Sequence, residues 1–186
     1  MLYRRPKGRT YDDERAVSEA AKLLPRLPEP GEDLHLWIPA KFGSWAIVRN
    51  IIDRRLPQTI TELWIATLSF SKTNAEQILD MLDSGTVKKV GLVVSHYFKA
   101  SNREIYDALV PKLIARNMPV VAIRNHAKVC LMQTSDGTYY TIQGSANLRS
   151  NQNVEQTIIT NDEPTYRFHR KVIATDLLKY EDETLY

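Results

Sequence analysis

The side chains best suited to chemistry in this chain lie in one stretch near its C-terminal third. His126 and Lys128 are two positions apart, so both project from the same face of an extended segment. A Gly-Ser-Ala-Asn corner follows at residues 144–147, and Asn153 and Glu155 share a face by the same alternation. A nucleophilic nitrogen, a fixed cation, small polar donors and an orienting carboxylate are the groups needed to attack a phosphodiester. The pattern therefore predicts phosphoryl-transfer chemistry.

The chemistry of each residue suggests a role and an alternative to it. Lys128 is predicted to face an anion, because burying an unpaired lysine is costly; otherwise it is an edge-strand lysine that opposes aggregation. Ser145 and Asn147 offer donors to phosphate oxygens, and Gly144 would let a ligand approach the backbone, but an ordinary polar turn has the same residues. Glu155 is predicted to accept a hydrogen bond from the imidazole and fix its tautomer, or else to be a surface glutamate.

Hydrophobic periodicity predicts the elements that position these groups. Strands are predicted at 34–38, 62–67, 89–95, 120–124, 127–133, 138–143 and 154–160, and helices at 44–55, 73–83, 102–116 and 163–179. This order, βαβαβαββββα, predicts an α/β fold with a mixed sheet flanked by helices on both faces. Trp37 and Trp64 are assigned to the core. Of Tyr139 and Tyr140, one is predicted to be buried and the other exposed.

The first 32 residues are predicted to form a basic, proline-rich N-terminal arm, and residues 33–186 a single domain. Arg4, Arg5, Lys7 and Arg9 crowd the start of the arm, where they either meet phosphates or are solvated surface. A short helix is predicted over residues 12–24, before prolines that break it. A second basic group, at 167–171, falls within the last predicted helix.

Composition narrows the class of protein. The chain has 186 residues, 43% of them hydrophobic and 25% charged, with a net charge of +3, which is typical of one globular domain. Its single cysteine, Cys130, excludes an intrachain disulfide and a cysteine-based zinc site and is predicted to be a small buried hydrophobe. No apolar run is long enough to span a membrane, and the charged N-terminus does not resemble a secretory signal, so a cytoplasmic protein is expected.

Taken together, residues 126–155 resemble the HKD signature of the phospholipase D superfamily: His-x-Lys, a Gly-Ser-x-Asn corner, then Asn-x-Glu. The resemblance implies that the domain from residue 33 is phospholipase D-like and that the reaction needs no metal and no cofactor. It also implies that His126 is the nucleophile and forms a phosphohistidine, while a second histidine protonates the leaving oxygen. The implied catalytic residues are His126, Lys128, Asn147 and Glu155, and the implied substrate-binding residues are Gly144, Ser145 and Asn153.

Two departures from the family pattern affect this interpretation. The family's aspartate falls five positions after the lysine, where this chain has Gln133; the nearest acid is Asp136, in the following turn. The chain also carries one motif where the family's active site uses two, because His35, His96 and His169 lack a lysine two residues on. One motif implies a homodimer with a shared site, the arrangement of the family's bacterial single-motif endonucleases.

The leading functional hypothesis is a metal-independent phosphodiesterase that cleaves nucleic acid. The alternatives are a DNA-backbone-binding protein of the same fold that has lost turnover, and a phospholipid phosphodiesterase. Two polar loops, Ser69 to Lys72 and Ser95-His96, either line the substrate groove or are ordinary strand–helix connections.

Overall fold

The structure is a computed structural model that describes residues 9–39 and 41–180, with side chains in the first helix from residue 14. These residues form α1 (Arg9–Leu23), β1 (Glu32–Pro39), α2 (Ser44–Arg55), β2 (Ile60–Thr67), α3 (Lys72–Asp83), β3 (Val90–Ser95), α4 (His96–Ser101), α5 (Arg103–Ile114), β4 (Val120–Ile123), β5 (Val129–Thr134), β6 (Tyr139–Gly144), β7 (Val154–Asn161) and α6 (Glu163–Lys171). A π-helical turn over Val172–Asp176 and a 3-10 turn over Leu177–Lys179 extend α6.

The strands form one mixed sheet in the order β1-β7-β6-β5-β2-β3-β4. Strands β2, β3 and β4 run parallel, and the pairs β2–β5, β5–β6, β6–β7 and β7–β1 run antiparallel. These directions bring the ends of β1, β2, β3, β4 and β6 and the starts of β5 and β7 to the same edge of the sheet. We call it the C-terminal edge; it comprises residues 41–43, 68–72, 96–102, 124–128 and 145–153.

Helices cover both faces of the sheet, as predicted. The main core lies between one face and α1–α5, and includes Ile47, Ile78 and Leu109. A smaller core on the other face packs Trp64 and Leu131 against α6 and the turns after it. The predicted α/β class is therefore confirmed. Within the described residues, no helix is long and apolar enough to cross a membrane.

Local sequence accounts for several element boundaries. Helix α2 has the predicted bounds, and α3 begins in a reciprocal cap in which Ser71 and Asn74 each accept a hydrogen bond from the other's backbone N–H. The turn between β5 and β6 places Gly137 at φ +81°, a conformation that favours glycine.

The connection between β3 and β4 contains one helix more than predicted. Helix α4 follows β3 directly, because the Ser95 hydroxyl accepts a hydrogen bond from Tyr97 N at 3.2 Å and caps it. Phe98 anchors this short helix: it is buried and its ring centroid lies 4.7 Å from that of Phe70. Asn102 then separates α4 from α5.

The prediction for one of the two tryptophans is wrong. Trp64 is 2% exposed, but Trp37 is 68% exposed on the edge strand β1. Its neighbours Leu36 and Ile38 face the main core, so the alternation turns Trp37 to the opposite face, where α6 covers the β2–β6 part of the sheet and not β1.

The tyrosine pair follows the predicted alternation in part. Tyr140 is 2% exposed in the main core. Tyr139 is half-buried on the other face, where its ring centroid lies 5.1 Å from that of Tyr166. Cys130 is buried as predicted, and its burial raises the pKa of the thiol to about 12.

Part of the predicted arm packs on the domain. Helix α1 lies against α2, and Ala20 and Leu24 are fully buried in the main core. Arg26 then forms a two-pronged ion pair with Glu32 at 2.5 and 2.6 Å, next to the start of β1. The basic residues before Arg9 lie outside the described residues, and the domain division at residue 32 stays a prediction.

Glu62 holds α6 on the sheet, at the edge opposite the C-terminal one. Its carboxylate accepts hydrogen bonds from Arg170 Nε and Nη2, at 2.6 and 2.9 Å, and from Trp64 Nε1 at 2.9 Å. Partial burial raises the pKa of this carboxyl, but the bonds from Arg170 and Trp64 outweigh it and bring the pKa to about 2.

We expect Glu62 to make stability pH-dependent. A carboxyl whose folded-state pKa is depressed stabilises the protein above its ordinary pKa of 4.5, and that contribution is lost as the pH falls toward about 2. The unfolding free energy, measured by urea denaturation, should therefore fall more between about pH 5 and about pH 3 in the unmodified protein than in Glu62→Gln. Equal losses in the two proteins would contradict this role.

Candidate active site

The predicted nucleophile and cation lie side by side at the C-terminal edge. His126 and Lys128 belong to an extended segment that leads into β5, whose residues Cys130 and Met132 face the main core. The same alternation directs Lys128 to the main-core side. Lys128 Nζ lies 3.0 Å from His126 Nδ1, so the structure brings the pair together as predicted.

Asn125 fixes this segment to the sheet. It is 8% exposed, and its Nδ2 donates to Thr67 O, at the end of β2, at 3.1 Å and to Val93 O, within β3, at 3.3 Å. Its Oδ1 accepts from Ala127 N at 2.9 Å. The residue before His126 is therefore bonded to two strands and to its own chain, which holds the histidine backbone in place. The sequence analysis did not identify Asn125 as a site residue.

The Lys128 ammonium group donates its hydrogen bonds to His126, in the same segment. Besides His126 Nδ1, Nζ donates to His126 O at 2.6 Å. An ammonium has no acceptor, so Nδ1 accepts in this contact and a neutral ring then carries its proton on Nε2. Partial burial lowers the pKa of Lys128, while the charge of Glu155 acts in the opposite direction. A half-buried cation whose hydrogen-bond partners are a ring nitrogen and a carbonyl oxygen, and not a carboxylate, is well placed to bind an anion.

Glu155 lies at the site with partners other than the predicted one. The carboxylate is 8% exposed; it accepts hydrogen bonds from the Ser145 hydroxyl and, at 2.7 Å, from Asn151 Nδ2. Among the described residues, then, its hydrogen bonds go to these two side chains and not to His126. The charge of Glu155 nevertheless acts to raise the pKa of Lys128, so the carboxylate lies within electrostatic range of the His126–Lys128 pair.

Ser145 joins the corner to β7. Its backbone N donates to Gln156 O at 2.9 Å, and its hydroxyl accepts from Gln156 N at 3.0 Å. Asn151 accepts from Asn153 N at 2.8 Å through its Oδ1, and so shapes the loop that leads to Glu155. Asn153 itself is exposed. The predicted binding roles of Ser145 and Asn153 stay predictions, and Asn151 is a residue that the sequence analysis missed.

Asn147 is held by the start of α2. Its backbone oxygen accepts from Ser44 N at 3.0 Å, and the next carbonyl, of Leu148, accepts from Trp45 N. These bonds satisfy donors that a helix N-terminus otherwise leaves unpaired. The Asn147 side-chain Oδ1 is buried and has no hydrogen-bond partner among the described residues. A buried polar atom of this kind costs about 1–3 kcal/mol unless a ligand or water supplies its partner.

Gly144 has a structural reason for being glycine. A Cβ at this position would lie 2.1 Å from Gln156 O and 2.9 Å from Thr157 Cα, both in the backbone of β7. Because Gly144 has no side chain, the backbone of β7 can pack closely against β6 at this position. Its predicted contact with substrate stays a prediction.

Gln133, which replaces the family's aspartate, lies far from His126 and Lys128. Five residues of extended chain separate it from Lys128, or about 17 Å, and the alternation places the two side chains on opposite faces. At that distant end of β5, Asp136 forms an ion pair with Arg55 and accepts from the Thr134 hydroxyl at 2.5 Å. This carboxylate thus stabilises the β5–β6 turn and cannot reach His126.

The charge distribution separates the two edges of the sheet. The five segments of the C-terminal edge contain no aspartate or glutamate, and they contain six basic residues: Lys41, Lys72, Lys99, Arg124, Lys128 and Arg149. Lys41 is ion-paired with Glu19 at 2.9 Å. The opposite edge mixes the two signs: Glu62 and Asp136 lie there with Lys88, Lys89 and Arg116. A chain with a net charge of only +3 therefore has a strongly basic site.

Comparison with known proteins agrees with this architecture. A scan against protein-family models finds no match, and a search of curated proteins finds none either. Among solved structures, Nuc from Salmonella typhimurium, a phospholipase D family member, aligns with a TM-score of 0.54 and 17% identity over 77% of this chain and 91% of its own. The fold is phospholipase D-like.

Polyphosphate kinase from Porphyromonas gingivalis also aligns with this phospholipase D-like fold. Its TM-score is 0.51 at 13% identity, over 83% of this chain and 27% of the kinase chain. The chain thus spans about a quarter of the kinase's length. Identities this low establish the shared fold, and the activity must be argued from the site.

Proposed function

We propose that this protein is a metal-independent phosphodiesterase that cleaves nucleic acid through a phosphohistidine on His126. The observation that carries the proposal is the C-terminal edge itself. There the sheet places His126, Lys128, Asn147 and Glu155 among loops that contain six basic residues and no acidic one. A polyanionic chain is the substrate that such a surface attracts.

The chemistry proceeds in two displacements. His126 attacks phosphorus, forming a P–N bond as the P–O bond to one sugar breaks, and the leaving oxygen takes a proton from a second imidazole. Water, deprotonated by that second imidazole, then displaces His126 and restores the enzyme. Covalent catalysis of this kind replaces one difficult step by two easier ones.

Lys128 and Asn147 act on the charge that develops during these steps. When a phosphate binds, Lys128 Nζ turns from His126 to a phosphate oxygen, and the imidazole is released to carry its proton on Nδ1 and attack through Nε2. In that position the ammonium stabilises the negative oxygens of the transition state. Glu155, held by Ser145 and Asn151, keeps a negative charge nearby that favours the protonated lysine.

The second imidazole belongs to His126 of a second copy of the chain. His35 is on the edge strand β1, and His169 is on α6, which covers the face of the sheet opposite the catalytic pair. A two-fold axis that brings two C-terminal edges together supplies two His126 rings to one site. Analytical ultracentrifugation of the active protein should therefore show a dimer. A monomer that still cleaves would contradict the shared site and direct attention to His96, at the same edge.

The test of the activity uses plasmid and oligonucleotide in EDTA. We expect nicking without added metal, and cleavage that weakens as salt rises. Salt-sensitive binding with no cleavage would contradict the enzyme and support a DNA-backbone-binding protein. Hydrolysis of phosphatidylcholine or cardiolipin vesicles, with no cleavage of nucleic acid, would contradict the choice of substrate.

A further inference from the structure

Tyr97 presents an aromatic ring to solvent at the C-terminal edge. It is 73% exposed, the most of any large hydrophobic side chain in the described residues. Its backbone, in contrast, is fixed: Tyr97 N donates to Ser95 Oγ at 3.2 Å, and Tyr97 O accepts from Ser101 Oγ at 2.7 Å. The adjacent Phe98 is buried against Phe70. Single exposed rings are common on protein surfaces; what distinguishes Tyr97 is its firmly held backbone and its place among the basic loops of the C-terminal edge.

Helix α4, which carries Tyr97, begins near the strand that follows His126 and Lys128. Tyr97 is two residues beyond Ser95, the last residue of β3, and His126 and Lys128 precede β5. Strand β2 separates β3 from β5, so their ends at this edge are two interstrand spacings apart, or about 10 Å. Helix α4 packs into the main core through Phe98, so it lies on the side of the sheet that Lys128 faces. A nucleic-acid strand bound at His126 can therefore extend to Tyr97 within a few nucleotides.

Basic side chains continue from the pair toward this ring. Lys72 and Arg124 are exposed, and they follow β2 and β4 on either side of β3. Lys99 lies in α4 itself, with its Nζ 5.8 Å from the centre of the Tyr106 ring. The edge thus combines cations, which can track a phosphate backbone, with an exposed aromatic ring. This combination is typical of surfaces that bind single-stranded nucleic acid.

We propose that Tyr97 stacks on a base within a few nucleotides of the scissile phosphate and makes single-stranded nucleic acid the preferred substrate. The inference rests on the proposed function and adds the form of substrate to it. A base in a single strand exposes the face of its ring, whereas in a duplex that face is covered by the neighbouring pair. Lys72, Lys99 and Arg124 hold the backbone in either case. The selectivity for single strands therefore comes from the tyrosine.

The experiment measures kcat/KM on three substrates: oligothymidylate, the matching duplex, and an oligonucleotide whose sugars lack bases around the cleavage point. DNA and RNA forms of each are compared. Tyr97→Ala should lower kcat/KM on the single strand about 5- to 150-fold, since base stacking on an aromatic side chain contributes about 1–3 kcal/mol. It should have little effect on the abasic strand, which offers no base to stack. Tyr97→Trp should retain the preference, and Phe168→Ala, which removes a 65% exposed ring from α6, should cleave all substrates normally.

The outcomes separate this inference from the function on which it rests. If the unmodified protein cleaves and Tyr97→Ala cleaves single strands equally well, stacking is wrong and the nuclease stands. An equal loss on normal and abasic strands would also overturn stacking, because Tyr97 would then act through the fold. A larger loss on duplex than on single strand would assign the surface to duplex. If the unmodified protein cleaves no nucleic acid, the proposed function itself fails.

Discussion

Replacing His126 by alanine is expected to reduce metal-independent cleavage by about a thousandfold or more, because removal of a covalent nucleophile leaves only binding and electrostatic effects. The loss should appear in kcat, with the affinity for DNA nearly unchanged, since the six basic residues of the C-terminal edge remain. Initial rates in EDTA and binding by fluorescence anisotropy measure the two quantities separately.

The matched control is His35→Ala. His35 is an exposed histidine on β1, on the face opposite the catalytic pair, and its loss should leave cleavage unchanged. His126 is also exposed, and its side chain bonds to Lys128 alone among the described residues, so the unfolding free energy of His126→Ala should stay within about 1 kcal/mol of the unmodified protein. Cleavage that survives the substitution would rule out His126 as nucleophile.

Replacing Gly144 by alanine is expected to cost both stability and activity. The added Cβ would meet Gln156 O at 2.1 Å, and because this atom belongs to the backbone, β7 has to shift. Forced overpacking typically costs about 1–3 kcal/mol and sometimes more. The shift would also move Glu155, one residue before Gln156, away from Ser145. The unfolding free energy, measured by urea denaturation, and the rate of cleavage should both fall.

This substitution distinguishes two roles for the glycine. If Gly144→Ala folds with unchanged stability but loses activity, then the missing side chain makes room for substrate, as the sequence analysis supposed. If stability and activity both fall, the missing side chain makes room for β7. Gln143→Ala, at the preceding position of β6, is the control and should have little effect on either quantity.

The sequence predicted the order of helices and strands along the chain well, because hydrophobic periodicity and turn residues are local features. The apolar spacing of Ser44–Arg55 and the Ser-Asp-Gly turn before Thr138 need no tertiary information. Helix α4 was missed because it is six residues long and is stabilised by the distant contact of Phe98 with Phe70. The exposure of Trp37 depends on how far α6 extends across the sheet, which no local pattern encodes.

The same division applies to the site. Residue type and spacing predicted that His126 and Lys128 share a face, since strand alternation is readable from sequence. Their meeting with Asn147 and Glu155 at one edge follows from the strand order and directions, which the sequence did not specify. The partners of Glu155 were not readable, because Asn151 reaches it through a loop with no regular spacing. Asn125 did leave a signal: an asparagine that bonds to the N–H two residues on is a common turn device. Its bonds to Thr67 and Val93 appear only when β2, β3 and β4 are aligned.

The central claim is that His126 becomes covalently attached to phosphorus, and rapid-quench trapping tests it most directly. The protein is mixed with a labelled single-stranded oligonucleotide in EDTA, quenched in base within one turnover, digested and mapped by mass spectrometry. We predict a base-stable, acid-labile phosphoramidate on His126, which forms and decays at the rate of turnover and is absent from His126→Ala. Turnover without this adduct, or an adduct on another residue, would contradict it.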